Sequence, residues 1–278
     1  MSPVGTILLK VGGELVEDPA HLGTLVSTIR TVTASGVALV VVHGGGREID
    51  AALKTAGIVK RQVDGLRITD EPTLDIVVAV LAGAVNTRFV AALGRAGVAA
   101  VGLTGADDGC GMAKVAPPHR TVDGREVELG RVGVPLEGAS TRLLDVLLRE
   151  GFVPVVSSIG VAEDGRLLNV NADTCAGHLA AGLRVRRLVI AGATPGVLDD
   201  SGHTMPVLES DGLSRLVTDG TATAGMIAKL RACEHALASG VNDVVIVDGR
   251  DQRALETALR LGAPASATQI RALSQTTS

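Results

Sequence analysis

The chain has 278 residues, of which 46% are apolar and 1% aromatic, and its formal net charge is −4. This length fits one large α/β domain or two closely joined lobes, and the acidic balance without a basic patch excludes a typical nucleic-acid-binding surface. Three widely separated cysteines exclude a disulfide framework and offer no C-x-x-C metal spacing.

The apolar stretches are short. The N-terminal "MSPVGTILLK" lacks the apolar length of a signal peptide, and "IVVAVLAGAV", flanked by Asp75 and Asn86, is too short to span a bilayer. We therefore expect a soluble, cytoplasmic protein with no membrane or nucleic-acid partner.

The N-terminal part predicts alternating strands and helices. "GTILLKVGG" and "GVALVVVHGGG" are typical of buried strands, and helical patterns follow both; the first helix begins at Asp18 and Pro19. A longer helix is predicted over 70–95, where Asp70 and Pro72 signal the start. Because this helix is apolar on most sides, we expect burial on two sides, one of them in an oligomer.

The middle predicts two hairpins, at Asp123-Gly124 and Asp164-Gly165, with a helix and a strand between them. Strands and helices then alternate again, which argues for a parallel sheet with right-handed crossovers. A composition shift near 160–185 divides the chain into an N-terminal lobe, 1–170, and a C-terminal lobe, 171–278.

Two glycine-rich strand ends form the first candidate site. In a parallel sheet, Gly12, Gly13, Gly44 and Gly45 would all lie at the carboxyl edge, where ligands bind. Their backbone N–H groups and the following helix N-termini suit an anion. Ordinary strand–helix turns contain the same glycines, so the motifs alone leave both interpretations open.

Lys10 favours the anion, because it lies inside the apolar strand "ILLKVGG" and a buried lysine is costly without a negative partner. The alternative is an edge lysine whose ammonium reaches solvent. Lys229, in the helix "AGMIAKLRACEHALASG", is a second candidate cation.

Further polar candidates lie in "LLNVNADT" and "DGLRITD". On a strand, Asn169, Asn171 and Asp173 would share one face and suggest a ligand surface, whereas Asp173 can also cap the next helix. Arg67 is either a surface charge or a clamp on a carboxylate.

Common catalytic and metal-binding motifs are missing from the sequence. It contains no G-x-x-x-x-G-K-[ST], H-E-x-x-H or G-x-S-x-G, and no metal-ligand spacing of His and Cys. We therefore expect no metal ligands from protein side chains. The six histidines are interpreted as structural or surface groups, although His43 adjoins the glycines, and Arg47 as a surface residue at a helix start.

The order of six motifs resembles acetylglutamate kinases of the amino acid kinase family, over about residues 6 to 250: "KVGG", "HGGGREID", "DGLRITD", "NVNADT", "PGVLD" and "GMIAKL". The resemblance implies an αβα sandwich with an open, mainly parallel central sheet, and a homodimer crossed by the long helix. It further implies ATP and Mg²⁺ as cofactors and transfer of the γ-phosphoryl to the side-chain carboxylate of N-acetyl-L-glutamate, in arginine biosynthesis.

The resemblance also implies residue roles. Lys10 and Lys229 would hold phosphoryl oxygens, and Asp173 would organise the two lysines. Glycine N–H groups at 12, 13, 44 and 45 would face the transferring phosphoryl, and Arg67, Asn169 and Asn171 the acyl amino acid. The N-terminal lobe would bind this substrate and the C-terminal lobe ATP.

The sequence departs from the family pattern at several positions. Gly192-Ala193-Thr194 stands where a Thr-Asp-Val run is usual, Ala228 replaces a proline and Ala224 a glycine, and "ATQI" replaces "GTxI". These changes bear on nucleotide affinity or base preference. The chain lacks room for the N-terminal helix of arginine-regulated members, so we expect no hexamer and weak or absent arginine inhibition.

Two alternatives remain at this point. The first is a kinase for a carrier-linked aminoadipate or glutamate. The second is a non-catalytic regulatory protein of the same fold, suggested by Gly192 and Ala193. A Rossmann dehydrogenase would need a G-x-G-x-x-G after the first strand, and the sequence has none.

Overall fold

The computed structural model describes residues 3, 5–121, 124–199, 201–218 and 224–271, without the side chains at 214, 215, 217, 218, 224 and 225. Asp123 of the first predicted hairpin turn and the tail from 272 lie outside the described residues. The strands are β1 Ile7–Val11, β2 Leu39–His43, β3 Gln62–Val63, β4 Leu66–Arg67, β5 Ala100–Thr104, β6 Ala113–Val115, β7 His119–Arg120, β8 Glu126–Val127, β9 Val132–Pro135, β10 Val153–Ser157, β11 Ile159–Val161, β12 Leu167–Val170, β13 Arg187–Gly192, β14 Val207–Glu209, β15 Val244–Asp248 and β16 Thr268–Arg271. The helices are α1 Gly13–Glu17, α2 Pro19–Ala34, α3 Gly46–Thr55, α4 Glu71–Val78, α5 Asn86–Arg95, α6 Arg142–Arg149, α7 Ala172–Leu183, α8 Ser210–Thr218, α9 Ala224–Ala238 and α10 Gln252–Arg260.

Eight strands form the central sheet, in the order β14-β16-β15-β13-β1-β2-β10-β5. Neighbouring strands run parallel except for β15 and β16. β1 from the N-terminal part pairs with β13 from the C-terminal part, so the sheet is continuous across the chain. The predicted open, mainly parallel sheet is confirmed.

Successive strand residues point to opposite faces of the sheet. On one face Leu8 and Val40 pack in a core with α6, α7 and α9. On the other face Leu9 and Val41 pack in a core with α2, α5 and α10. The fold is therefore an αβα sandwich, and Lys10, in phase with Leu8, faces the layer that contains α7 and α9.

Helix starts follow the predicted caps in most cases. The Asp18 carboxylate accepts hydrogen bonds from the N–H groups of Ala20 and His21, and that of Asp70 accepts one from Thr73 N–H. The prediction for "NVNADT" needs a correction. β12 ends at Val170, and Asn171 caps α7 by accepting from the N–H groups of Asp173 and Thr174. Asn169, Asn171 and Asp173 therefore do not share a strand face.

A four-stranded sheet, β11-β12-β9-β6, lies beside the carboxyl edge of the central sheet. Its β11–β12 hairpin turns at Gly165, whose φ of 82° lies in the left-handed region that glycine favours, which confirms the second predicted hairpin. The strand β14, at one edge of the central sheet, and its neighbour β16 were not predicted.

The predicted long helix is present as α4, a π-helical stretch Ala79–Val85, and α5. By length and composition alone this 25-residue helix is apolar enough to cross a membrane. The run "IVVAVLAGAV" alone therefore gave too short an estimate of the apolar length of the helix. Phe89 and Leu93 anchor it in the core beneath the sheet, and 33% of its most apolar window is buried within the chain. Much of its apolar surface therefore remains uncovered in the single chain.

Candidate active site

The two glycine turns meet at the carboxyl edge of the sheet. β1 and β2 pair in register, so the turns that follow them lie side by side. A Cβ atom added to Gly13 would lie 3.1 Å from the Gly45 Cα, and one added to Gly45 would lie 2.9 Å from the Leu81 Cδ2. Both positions therefore leave little room for a side chain. Backbone N–H groups from two strands are thereby gathered at one edge, where an anion can approach them.

A carboxylate lies between two lysines beside these turns. Lys10 is 5% exposed and Asp173 6%. The Lys10 Nζ lies 2.7 Å from Asp173 Oδ1, and the Lys229 Nζ lies 3.9 Å from Asp173 Oδ2. The site thus has two cations and one anion within ion-pair distance. Two ammonium groups that share one carboxylate can bind a further anion, such as a phosphoryl group.

Two helices place these charges. Asp173 lies in the first turn of α7, and Lys229 lies in the second turn of α9, which packs against α7. Gly44 adjoins the same point, because a Cβ added there would lie 3.4 Å from the Ala172 Cβ. The structure therefore brings together Lys10, Asp173, Lys229 and both glycine turns.

Arg67 lies on β4 with a side chain that is 11% exposed. Its Nη2 donates to Asp50 Oδ1 at 2.5 Å, while its buried Nη1 has no hydrogen-bond partner among the described residues. Burial raises the pKa of Asp50, but hydrogen bonds from Lys60 and Arg67 outweigh that effect and lower it below the ordinary value. A guanidinium with one nitrogen engaged and the other free is suited to bind a second carboxylate.

A cleft of about 420 Å³ extends from Gly13 and Gly46 to Lys60 and Arg67. Thr69 connects Asn169 to Arg67. The Asn169 Nδ2 donates to Thr69 Oγ1 at 3.1 Å, and the Thr69 hydroxyl donates to the Arg67 carbonyl. Asn171 differs, because its side-chain oxygen caps α7. Only the Asn171 amide nitrogen is left to contact a ligand.

The structure places His43 and Arg47 in structural contacts, as predicted. His43 is fully buried, and burial lowers its pKa to about 4. Its neutral ring fits a donor at Nδ1 to the Gly44 carbonyl and an acceptor at Nε2 for the Asn86 amide, each at 3.0 Å. Arg47 is exposed and pairs with Glu17.

Two residues near the site escaped the sequence analysis. Glu14 Oε1 accepts a hydrogen bond from Ala193 N–H at 3.0 Å, and its carboxylate would collide with a Cβ at Gly12. A Cβ at Gly192 would lie 3.3 Å from the same oxygen, so the glycine that departs from the family pattern makes room for Glu14. The Arg250 Nη2 donates to the Ala193 carbonyl at 2.8 Å and fixes this loop.

Comparisons with known proteins show the family of this chain. A model of the amino acid kinase family matches residues 5–248. The chain belongs to the amino acid kinase family. Among its relatives in this family, an acetylglutamate kinase from Novosphingobium aromaticivorans is 39% identical over 259 residues, which are 90% of this chain and 85% of the relative.

Solved structures of amino acid kinase-like fold support the same architecture. An N-acetylglutamate synthase from Neisseria gonorrhoeae, complexed with coenzyme A and N-acetyl-glutamate, superposes with a TM-score of 0.80 at 25% identity, over 96% of this chain and 59% of that chain. A Giardia carbamate kinase superposes with a TM-score of 0.72 at 16% identity, over 98% of this chain and 100% of that chain, which shows the fold alone.

Proposed function

We propose that this chain is an acetylglutamate kinase, which transfers the γ-phosphoryl of ATP to the side-chain carboxylate of N-acetyl-L-glutamate in arginine biosynthesis. The observation that carries the proposal is the Lys10–Asp173–Lys229 cluster beneath two adjacent glycine turns. The 39% identity to a curated acetylglutamate kinase over most of both chains supports the substrate.

The chemistry needs no general base. A glutamate side chain has a pKa of about 4.3, so the acceptor is already an anionic nucleophile at neutral pH. The obstacle is the repulsion between this carboxylate and the γ-phosphoryl, together with the need for in-line placement. Catalysis therefore rests on positioned positive charge and N–H donors, which are the groups found at this edge of the sheet.

The lysines neutralise the transferring phosphoryl in this proposal. Lys10 and Lys229 contact its oxygens, while Asp173 holds both ammonium groups in place from the buried side. N–H groups of Gly12, Gly13, Gly44 and Gly45 stabilise the charge that spreads over the phosphoryl oxygens in the transition state. Because Asp173 contacts both ammonium groups and acts through them, it is a positioning residue.

The acceptor lies on the N-terminal side of the cluster. The free Nη1 of Arg67 binds the α-carboxylate, and the amides of Asn169 and Asn171 assist in orienting the acyl amino acid. In this arrangement residues 1–170 bind the acyl amino acid and 171–278 bind ATP. Gly192, Ala193 and Arg250 lie at or just after the ends of β13 and β15, and we assign them to the ATP side.

Mg²⁺ fits the site only as a companion of the nucleotide. Among the described residues, the sole group of three side chains able to hold a metal is Glu137, His178 and His235, which does not include the phosphoryl cluster. Triphosphate oxygens would therefore be its ligands. When bound, it would neutralise part of the charge on the β- and γ-phosphates.

A product assay tests the proposal. Purified protein is incubated with ATP, Mg²⁺ and free N-acetyl-L-glutamate, and the acyl phosphate is trapped with hydroxylamine as a hydroxamate. We expect hydroxamate formation that requires all three components, with an Asp173→Ala sample as the background control. No hydroxamate at saturating substrate would sink the proposal.

A substrate panel and calorimetry separate the two alternatives. A substrate panel with free glutamate, free aminoadipate and their carrier-linked forms identifies a carrier-dependent kinase, which the similarity to acetylglutamate kinases does not favour. Calorimetry with ATP and Mg²⁺ addresses a non-catalytic regulator, for which we would see no nucleotide binding. The two lysines and Asp173 argue against that regulator.

We also propose a cytoplasmic homodimer built on the long helix. Small or apolar residues on this helix are exposed in the single chain, among them Ala79, Gly83, Ala84 and Ala91. A Cβ added to Gly83 would meet no atom within 4 Å. Two such faces can approach closely in a dimer, which would cover the apolar surface that otherwise faces water.

Sedimentation velocity tests the dimer. We expect a dimer for the unmodified protein and a monomer for Gly83→Arg, because a long charged side chain would enter the close interface. Gly94→Arg, near the end of the same helix, is a milder comparison. A monomeric unmodified protein would contradict this assembly without touching the proposed chemistry.

A further inference from the structure

Helices α7 and α9 bring two histidines together away from the lysine cluster. His178 lies five residues after Asp173 on α7, and His235 lies six residues after Lys229 on α9. At a helical rise of about 1.5 Å per residue, both lie roughly 8 Å further along their helices. Their rings stack with centroids 3.8 Å apart and an interplanar angle of 22°. The helices are in close contact here, since a Cβ on Gly177 would lie 2.9 Å from the Ala232 carbonyl oxygen.

A carboxylate faces both rings. The Glu137 Oε1 lies 3.7 Å from the His178 Nδ1 and 3.7 Å from the His235 Nε2. All three ligand atoms lie within 4.8 Å of one another. In a tetrahedral zinc site with bonds of about 2.1 Å, ligand atoms are about 3.4 Å apart, so the three atoms must move closer. The two rings must also rotate out of their stacked arrangement, so that the lone pairs of both nitrogens point at one ion.

The nitrogen atoms are available for a metal. The His235 Nε2 is buried and makes no hydrogen bond to any described residue. The His178 Nδ1 faces the same carboxylate as His235 from 3.7 Å, which is also beyond hydrogen-bond distance. An unsatisfied buried nitrogen beside a carboxylate that is too distant for a hydrogen bond requires an explanation, and a metal ion supplies one.

Glu137 can adjust to an ion because its side chain is 75% exposed and belongs to the segment after β9. The segment borders a cavity of about 290 Å³, lined also by His178, Ser239 and the buried Cys175. A metal held by three protein atoms would keep its fourth position open toward this cavity, where water can enter.

We propose that Glu137, His178 and His235 form a Zn²⁺ site that links α7 to α9. Two imidazoles and a carboxylate are a ligand set that zinc favours over Mg²⁺ or Ca²⁺, which prefer oxygen ligands. The site is separate from any Mg²⁺ bound with a nucleotide. By joining the two helices, zinc would raise the stability of the part of the fold that also contains Asp173 and Lys229.

Competition titration against a chromophoric chelator tests the site in untagged, full-length protein freed of metal. We expect one Zn²⁺ per chain, and intense visible absorption of a four-coordinate site when Co²⁺ replaces it. His178→Ala, His235→Ala and Glu137→Gln each remove a direct ligand, so each should weaken the affinity by at least the roughly 10–100-fold that loss of an outer-shell partner costs. Zinc should also raise the unfolding temperature of the unmodified protein but not of Glu137→Gln.

His203→Ala is the matched control, because His203 also lies near a carboxylate, 3.9 Å from Asp199, but is 82% exposed and has no second histidine beside it. Its zinc affinity should equal that of the unmodified protein. Glu137→Gln protects the test against misfolding, since this exposed side chain supports no core packing. The absence of stoichiometric zinc, or unchanged affinity in any of the three ligand variants, would overturn the site. Neither outcome affects the kinase proposal.

Discussion

Two buried cations on neighbouring strands of the sheet differ in how completely they are paired. Arg187, 7% exposed at the start of β13, donates to Asp243 Oδ2 at 2.5 Å and to the Ala258 carbonyl at 2.7 Å, while Gln269 donates to the other oxygen of Asp243. Lys10, near the end of β1, shares the single carboxylate of Asp173 with Lys229. Arg187 has a carboxylate of its own, whereas Lys10 and Lys229 share a single carboxylate.

The difference separates a structural ion pair from a ligand site. Charges balance around Arg187, so nothing further is needed there. Around Lys10 two ammonium groups have only the Asp173 carboxylate within ion-pair distance among the described residues, at the carboxyl edge of a parallel sheet, where open α/β folds bind ligands. Burial alone would have marked both residues as candidates, but the count of neighbouring charges distinguishes them.

Arg187→Ala should give the largest change in stability. It leaves Asp243 with an uncompensated negative charge in a largely buried position, so we expect a loss of about 3–5 kcal/mol in the free energy of unfolding. Urea denaturation measures this loss. Turnover per folded molecule should not change. The double variant Arg187→Met with Asp243→Leu should recover much of the stability, and a stable Arg187→Ala protein would show that the pair is not structural.

Lys10→Ala and Asp173→Ala should affect turnover most. Each removes an element of transition-state charge stabilisation, so we expect kcat to fall by roughly 10² to 10³, or about 2.7–4 kcal/mol. The hydroxamate assay measures kcat, and circular dichroism confirms folding. Asp173→Asn preserves the shape and should still be impaired, because an amide cannot balance two ammonium groups. Near-normal turnover of Asp173→Ala would refute the two-lysine arrangement.

His43 adds a third kind of buried group, one that stays neutral. Its pKa is about 4 in the folded protein, because of burial, and about 6.5 in an unfolded chain. Between these values the unfolded chain binds a proton that the folded protein does not. The free energy of unfolding should therefore fall by up to about 3 kcal/mol as pH falls from about 6.5 to about 4.

Denaturant titrations across this pH range measure that slope. His43→Gln should remove the His43 part while keeping a donor and an acceptor, whereas His203→Ala, at an exposed position, should leave the slope unchanged. An unaltered slope in His43→Gln would mean that the histidine is protonated in the folded state.

Much of the sheet was predictable because its central strands are runs of Val, Leu and Ile and because aspartates mark two of the helix starts. The strand β16, which lies between β14 and β15, was missed, since Gln269 and Arg271 make it resemble the polar tail that follows. Its buried alternation of Thr268 and Ile270 was the available signal. Asp173 was considered as a cap from its position, but Asn171 takes that role and leaves Asp173 for the lysines.

The candidate site was predictable where a residue differs in polarity from its neighbours in the sequence. Lys10 is a charge inside an apolar strand, which a single sequence reveals. Lys229 and Arg67 show no such contrast; the sequence offered them only as candidates, and the family pattern gave them their roles. Glu14 and the His178–His235 pair could not be found, because helix packing and strand pairing bring together residues that lie far apart in the chain.

Arg67 combines complete and incomplete pairing in one side chain, because its Nη2 is paired with Asp50 and its Nη1 has no hydrogen-bond partner among the described residues. Arg67→Ala should raise the KM for N-acetyl-L-glutamate roughly tenfold or more, as expected for a lost hydrogen bond to a charged group, and change kcat little. Arg67→Lys should recover only part of the affinity, since an ammonium cannot bind two carboxylates in the planar geometry of a guanidinium. A fall in kcat at unchanged KM would place Arg67 with the phosphoryl-transfer groups instead of with the acceptor.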